Sequence, residues 1–346
     1  MNARREGETR KLQITGGSTY ILSMPKKWVK TNRLGKGSLL SLTEEENGSL
    51  SILPLGVKEQ ERQEETYIKV SPKEDPDKSI RKLVSAYLVG YSLIHVKSDQ
   101  QQAISSRQRT EMKAFARRLL VGTEIVTDTP TELALQVLLS FPELSVQSAL
   151  RRMSIITVSM HKDAVTALEN LDYQLAREAI STDNEVDRFN MYVIRQLKTA
   201  IQDQRTIREI GLTSARDCLG YRLITKSVER TADHAASIAE NVLSIKKTID
   251  MDLAGKIKQM SEIAVSMFEN SVEALFKQDY DLAESIIERT KQVAPLEKEV
   301  IRLSQKNSPE ESTHLRLIIE SLRRTAEYAS DISEIVLNLT VESVMR

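Results

Sequence analysis

Two acidic helical stretches are the first candidates for chemistry. Residues 229–242 read ERTADHAASIAENV and residues 324–336 read RTAEYASDISEIV. In each, acids recur every three or four residues, the spacing that lines side chains along one face of a helix. At 100° per residue, Glu229, Asp233, Ser237 and Glu240 fall within an arc of about 80°. Ile224, Val228, Ala235, Ile238 and Val242 cluster nearly opposite. The acids therefore point away from the core of their own bundle, and the pattern predicts a solvated face. Carboxylates four residues apart also converge, and a hard cation takes several carboxylate oxygens. A metal site would need a second acidic pair from a neighbouring helix, and Asp183-x-x-x-Asp187 is the available donor. The second stretch suits a cation less, because Arg323 stands where Glu229 stands and Arg324 flanks Glu327, Asp331 and Glu334. The reading is at most one metal site, built from Glu229 and Asp233 with Asp183 or Asp187.

A second candidate surface is basic. Up to Lys36 the chain has nine basic residues against Glu6 and Glu8, a net charge of +7. Arg10 and Lys11 open a strand candidate, and Lys26, Lys27, Lys30 and Arg33 sit on or beside a short helix opened by Pro25. Lys and Arg on one surface neutralise phosphates and release counterions, which gives affinity and salt dependence rather than sequence readout. The competing reading is a solvated basic surface on a dimerisation module. Trp28 on the same helix reads as a core or dimer anchor rather than a stacking platform.

The elements that position these residues fall into three textures. Residues 1–57 read β-β-α-β-β: RKLQIT, STYILSMP, the helix PKKWVKTNRL, then a hairpin closed by Asn47-Gly48. That is too short to bury a core alone, so a homodimer is expected. The charged run KEQERQEE (58–65) reads as a connection. Residues 58–143 read β-α-β-α-β, with strands at TYIKV, SLIHV and TEIVTD, and contain no Gly-rich phosphate loop.

From Leu144 onward the pattern is helical. Turn signals near Asp172, Arg208, Asp250, Asp279 and Ser308 divide it into six helices. They form two repeats of three, 144–248 and 249–346. MHKDAVTALENLDYQLAREAI (160–180) aligns without gaps on MFENSVEALFKQDYDLAESII (267–287) at an offset of 107, and the acidic stretches align at an offset of 94. The fold class is thus multidomain and mainly α: a small β-rich domain, a small α/β module, then two three-helix repeats.

Composition narrows the function. Charge is balanced, 49 basic against 49 acidic residues, so no global field points to a partner. Cys218 is the single cysteine, which removes disulfides and thiolate metal sites within the chain. The four histidines (His95, His161, His234 and His314) form no zinc-protease pattern, and no nucleophile elbow or Walker loop occurs. His234 reads as a surface residue. The chain is not read as an enzyme. MNARREGETRK lacks the apolar core of a signal peptide, and the most apolar stretch, LALQVLLSF at 133–141, is too short to span a bilayer. A cytoplasmic protein without membrane insertion is expected.

Two family resemblances follow. The strand ending Met24-Pro25, the helix 26–34 and Gly35-Lys36-Gly37-Ser38 resemble the swapped-hairpin DNA-binding domain of the AbrB/SpoVT family over about 50 residues. Ser38 stands where that family usually has Asp, and the loop Gly16-Gly17-Ser18-Thr19 differs from its commonest form. The helical part, roughly 145–342, resembles the PhoU family. The residues that carry it are Ile180 through Asp187, then Glu229-Arg230-Thr231-Ala232-Asp233-His234-Ala235, Ile238-Ala239-Glu240, Arg324 through Glu327 and Ile332-Ser333-Glu334. These resemblances imply a DNA-binding regulator of phosphate homeostasis. They also imply a phosphate transporter or sensor kinase as partner, and a divalent or iron-type metal at the first helical repeat. The alternative reading is an adaptor that contacts such a partner without DNA.

Overall fold

In the computed structural model the described residues are 8–44, 48–55, 65–98, 103–138, 144–201 and 204–345, without the side chains of 204 and 205. The chain forms two compact units, Met1–Gln63 and Glu64–Arg346.

The first unit holds two hairpins and one short helix. β1 (Gln13–Thr15) pairs antiparallel with β2 (Thr19–Ile21). Their turn uses Gly16 (φ 62°) and Gly17 (φ 83°), a region residues with a Cβ enter only under strain. α1 (Lys26–Thr31) follows Pro25. β3 (Leu40–Glu44) pairs antiparallel with β4 (Leu50–Pro54), Leu42 opposite Ile52. This is the hairpin read from the sequence, although Asn47 in its turn lies outside the described residues, as do 58–64 of the charged connection. The hairpins form separate two-stranded sheets. No described residue of this unit is buried, and Leu12, Ile14, Tyr20, Leu39 and Leu42 are each at least 60% exposed.

The second unit begins with an α/β module of β5 (Glu65–Val70), α2 (Pro76–Val89), β6 (Leu93–Ser98), α3 (Ser106–Leu119), β7 (Thr123–Asp128) and β8 (Glu132–Val137). Asp75 caps α2 by accepting from the Asp77 amide, and Ser105 with Gln108 forms a capping box on α3. The strand order is β5-β6-β8-β7, with β5 and β6 parallel and the other pairs antiparallel. β8 corrects the β-α-β-α-β reading. It comes from the apolar stretch at 133–141 and lies between β6 and β7, where Leu133, Ala134 and Leu135 are fully buried. A central strand reads as a continuous apolar run and lacks the alternation that marks a half-exposed one.

The helices are α4 (Val146–Asn170), α5 (Tyr173–Ala200), α6 (Gln204–Glu209), α7 (Ala215–Val242), α8 (Met251–Lys277), α9 (Tyr280–Arg289), α10 (Val293–Ser304) and α11 (Pro309–Thr340). The duplication extends to backbone detail. Leu171 (φ 51°) and Gln278 (φ 53°), 107 positions apart, both end their helices in the left-handed conformation. The next residues, Asp172 and Asp279, cap α5 and α9, and the shared alanines Ala176 and Ala283 are buried. Two departures correct the six-helix reading. α6 is an extra short helix in the connection from α5 to α7. In the second repeat, the counterpart of α5 is broken by a 3-10 turn at Thr290–Gln292. Pro295 supplies the reason: it has no N–H, and its ring would clash with the carbonyl four residues earlier in a continuous helix.

The module and the repeats pack as one unit, and α5 joins them. The buried Arg195 donates to the carbonyls of Tyr87 and Gly90 (2.8 Å for the latter), filling the acceptors that α2 leaves open at its C-terminus. Gly90 sits at φ 118°, and a Cβ there would stand 2.8 Å from Thr199 Oγ1, so only glycine fits. Between the repeats, the buried His161 of α4 places Nε2 3.2 Å from Thr325 Oγ1 of α11, and burial holds its pKa down at about 4. The apolar stripe read on α7 is the core: Ile224, Val228, Ala235, Ile238 and Val242 are fully buried.

Candidate functional site: an acidic interhelical face and a basic module

α5 and α7 pack along one another, which sets Asp183 and Asp187 against Glu229 and Asp233. Glu229 keeps 12% of its side-chain surface and pairs with Lys226, one turn earlier on α7. Asp183 is half-buried, and its Oδ1 is shielded from solvent with no hydrogen-bond partner among the described residues. Burial, then the charges of Asp187, Asp233, Glu229 and Glu240, push the Asp183 carboxyl up to about 7. Burial and Glu229 push Asp233 up to about 6, although its side chain remains at the surface. Asp187 is also raised, by burial and by Glu229, against opposing Lys226 and the more distant Arg118 of α3.

The four acids chosen from the sequence thus share one electrostatic field. They do not share a coordination sphere: among the described residues, no group of three His, Cys, Asp or Glu side chains stands where it could hold a metal ion. The donor chemistry suits a hard cation, and Asp183 carries an oxygen in want of a partner. The expectation of a solvated face needs correction, because α5 covers the part of it around Glu229. An angular arc places a side chain against its own helix's apolar stripe and says nothing of the neighbour that covers it. The same holds for His234, which is half-buried under α11: Nδ1 lies 3.2 Å from Ser321 Oγ and the ring tilts against Tyr328 at 5.7 Å.

The matching face of the second repeat is neutralised. Arg323 pairs with Glu297 (3.2 Å), Glu320 (3.8 Å) and Glu327, and Arg324 reaches Glu327 at 3.0 Å. Sequence reasoning named neither Lys226 nor Arg118. Lys226 is legible as an i,i+3 partner of Glu229, whereas Arg118 arrives from another module and leaves no local signal.

The basic residues are all at the surface of the first unit: Arg10, Lys11, Lys26, Lys27, Lys30 and Arg33. Arg10 pairs with Glu8 at 2.6 Å, which subtracts from its field. Among the described residues the other five form no ion pair. The three lysines share α1, and Arg33 (φ 52°) stands just past its C-cap Asn32.

Fold and site together define a two-repeat helical protein with an acidic interhelical face, preceded by an α/β module and a small basic β-rich module. The PhoU domain profile matches residues 150–242 and 257–336, and the chain belongs to the PhoU family. Residues 13–60 match the profile described as "Antidote-toxin recognition MazE, bacterial antitoxin", a MazE/AbrB-like domain in agreement with the swapped-hairpin resemblance. Among curated proteins, a phosphate-specific transport system accessory protein PhoU homolog of Borreliella burgdorferi is 26% identical over 185 residues, covering 50% of this chain and 82% of that protein. PhoU homolog 1 of Thermotoga maritima is 21% identical, covering 58% and 88%. Among solved structures, the PhoU proteins of Streptococcus pneumoniae (20% identical, 57% of this chain and 94% of that one) and Pseudomonas aeruginosa (19%, 57% and 96%) superpose with a TM-score of 0.50, a likeness of fold. No described helix is long and apolar enough to cross a membrane.

Proposed function

We propose that this chain is a cytoplasmic, homodimeric, DNA-binding transcriptional regulator of phosphate uptake and homeostasis. Its basic module grips DNA while the helical repeats relay phosphate status from a transporter or sensor kinase. The observation that carries the reading is the pairing in one chain of PhoU repeats with a MazE/AbrB-like domain whose helix presents Lys26, Lys27 and Lys30 unpaired to solvent. Two copies of that module side by side would extend the positive surface along a duplex. The unit's exposed apolar side chains support the dimer: ten large ones from Leu12 to Leu55 are exposed and none is buried. A second copy closing strands from both chains into one barrel would cover them.

Fluorescence anisotropy against duplex DNA at several salt concentrations tests this. Binding at low salt that falls steeply with added salt, and is lost in Lys26→Glu with Lys30→Glu, is the expected result. No binding at low salt, or no salt dependence, leaves the second reading: an adaptor acting on a transporter or kinase. That alternative draws on the names of the relatives, which are accessory proteins of phosphate transport. Deleting residues 1–57 should give a monomer, and an unchanged dimer by sedimentation would put the interface elsewhere.

The metal reading stands on the acidic face. Glu229 and Asp233 with Asp183 or Asp187 would hold a divalent or iron-type ion only once their carboxylates are drawn together, and the ion would neutralise a cluster that α5 and α7 leave short of positive charge. Elemental analysis of purified protein beside Asp233→Ala checks it. Metal well below one equivalent per chain, unchanged by the substitution, would end the metal reading and leave the DNA reading untouched.

A further inference from the structure

The α/β module and α5 enclose a cavity of about 530 Å³ that the acidic face and the basic module do not use. Its walls include Arg117 from the last turn of α3, Gly122 from the turn into β7, Thr123, Glu124 and Ile125 from β7, and Arg188 from α5. Arg117 is exposed and makes no hydrogen bond or ion pair among the described residues. Arg188 keeps 39% of its side-chain surface, and its one ion pair among the described residues, to Glu185, is stretched to 3.9 Å. Two arginines from different elements thus line one cavity, where Glu124 is the one acid among its described lining residues, and Asp128 lies within electrostatic reach of Arg117 outside it. The ordinary account of an arginine in a last helical turn is that it offsets the helix dipole. That covers Arg117 but not Arg188, which stands in the middle of α5.

We infer that this cavity is a binding site for a small phosphorylated metabolite, a phosphate ester of a sugar or nucleoside. Guanidinium forks match the planar edge of a phosphate and hold it bidentately, which a lone ammonium does not. The volume exceeds what a bare phosphate fills and lies within the ~300–1,000 Å³ usual for small-molecule sites, which favour junctions between structural layers. Glu124 accepts hydrogen bonds from ligand hydroxyls, and Leu120 with Ile125 offers an apolar wall for a ring. Thr123 Oγ1 donates to the Leu120 carbonyl at 2.8 Å, which holds the turn in shape without a ligand. Because Arg188 adjoins Asp187 and Arg117 adjoins Arg118, an occupant would be felt by both modules at their shared seam.

Isothermal titration of the full-length chain, with EDTA present so that no metal bridges the ligand, tests the inference. The probes are ribose 5-phosphate and adenosine monophosphate against ribose and adenosine. Saturable binding of at least one ester at one per chain, with no binding of its unphosphorylated partner, is expected. Arg117→Glu and Arg188→Glu should each weaken it at least tenfold, and Arg188→Lys by less. Lys26→Glu with Lys30→Glu should leave it unchanged, which separates this site from the DNA surface. Circular dichroism confirms that each variant folds, and Arg188→Gln replaces any charge reversal that does not. Failure of both esters to bind at millimolar concentration, equal binding of the unphosphorylated probes, or affinity indifferent to both arginine substitutions would overturn it.

Discussion

The third helices of the two repeats carry the same arrangement with its charges exchanged. On α7, Lys226 pairs with Glu229; on α11, 94 positions later, Glu320 pairs with Arg323. The exchange changes the local balance. Arg323 sits in the middle of its cluster and reaches Glu297, Glu320 and Glu327, so one guanidinium with five donors holds three carboxylates. Lys226 reaches Glu229, while Glu229 raises the proton affinity of Asp183, Asp187 and Asp233 alike. The facing helix differs as well. At the offset of 107, Thr290 stands where Asp183 stands and Ala294 where Asp187 stands, and the 3-10 turn interrupts the helix there. One duplicated frame has therefore diverged into a face that carries its own counter-charge and a face that calls for one from outside.

The strongest way to break this contrast is to remove the internal counter-ion. Arg323→Glu should cost about 2 kcal/mol in urea unfolding, below the ~3–5 kcal/mol for a fully buried pair because Arg323 keeps 30% of its side-chain surface. An unchanged midpoint would mean that the second face is not held by its arginine.

Next is the pH response of the first face. Asp183 and Asp233 have folded-state values near 7 and near 6, above the ~4 of an unfolded Asp. Between those limits the folded chain keeps protons that the unfolded chain has released. These two groups therefore make stability fall as pH rises from about 4 through 7. Asp183→Asn should flatten that slope and raise the melting temperature at pH 8 while changing little at pH 4. Thermal melts of both proteins across this range check it, and parallel curves would refute it. His161 acts in the opposite sense: its value near 4 lies below the unfolded ~6.5, so its contribution is lost as pH falls through that interval.

A smaller effect sharpens the comparison from the other side. Lys226→Glu combined with Glu229→Arg copies the second repeat's pair into the first. The new guanidinium would face Asp233 and Asp187, so stability at pH 8 should rise by up to about 1 kcal/mol, the scale of a surface ion pair. It should also abolish any metal uptake at this face. The smallest change is expected from Asp331→Asn in the second repeat. Asp331 is raised by burial and by Glu334 and Glu327, but Arg230 and Arg324 oppose the shift. A slight gain in melting temperature at alkaline pH, well below that of Asp183→Asn, is the expected outcome.

Much of this molecule is written locally. Asp75, Asp172, Asp279 and Ser308 cap helices where their spacing places them, and the α7 stripe is buried as its period demands. The hairpin of β3 and β4 forms because alternation and a glycine signal specify it within a short stretch, Leu40 to Pro54. Such features depend on neighbours a few positions away, so the amino-acid order determines them directly. It also determined the duplicated frame and the choice of four acids. Tertiary structure decided the rest. β8 became central only once β6 and β7 closed on it. His234 and Glu229 were covered by helices distant in sequence. Arg117 and Arg118 of α3 meet Arg188 and Asp187 of the first repeat through the packing of α3 on α5, beside the bonds by which Arg195 fastens α2 to α5. Burial and the field at a side chain are sums over neighbours brought together by folding, and no local stretch of sequence carries those sums.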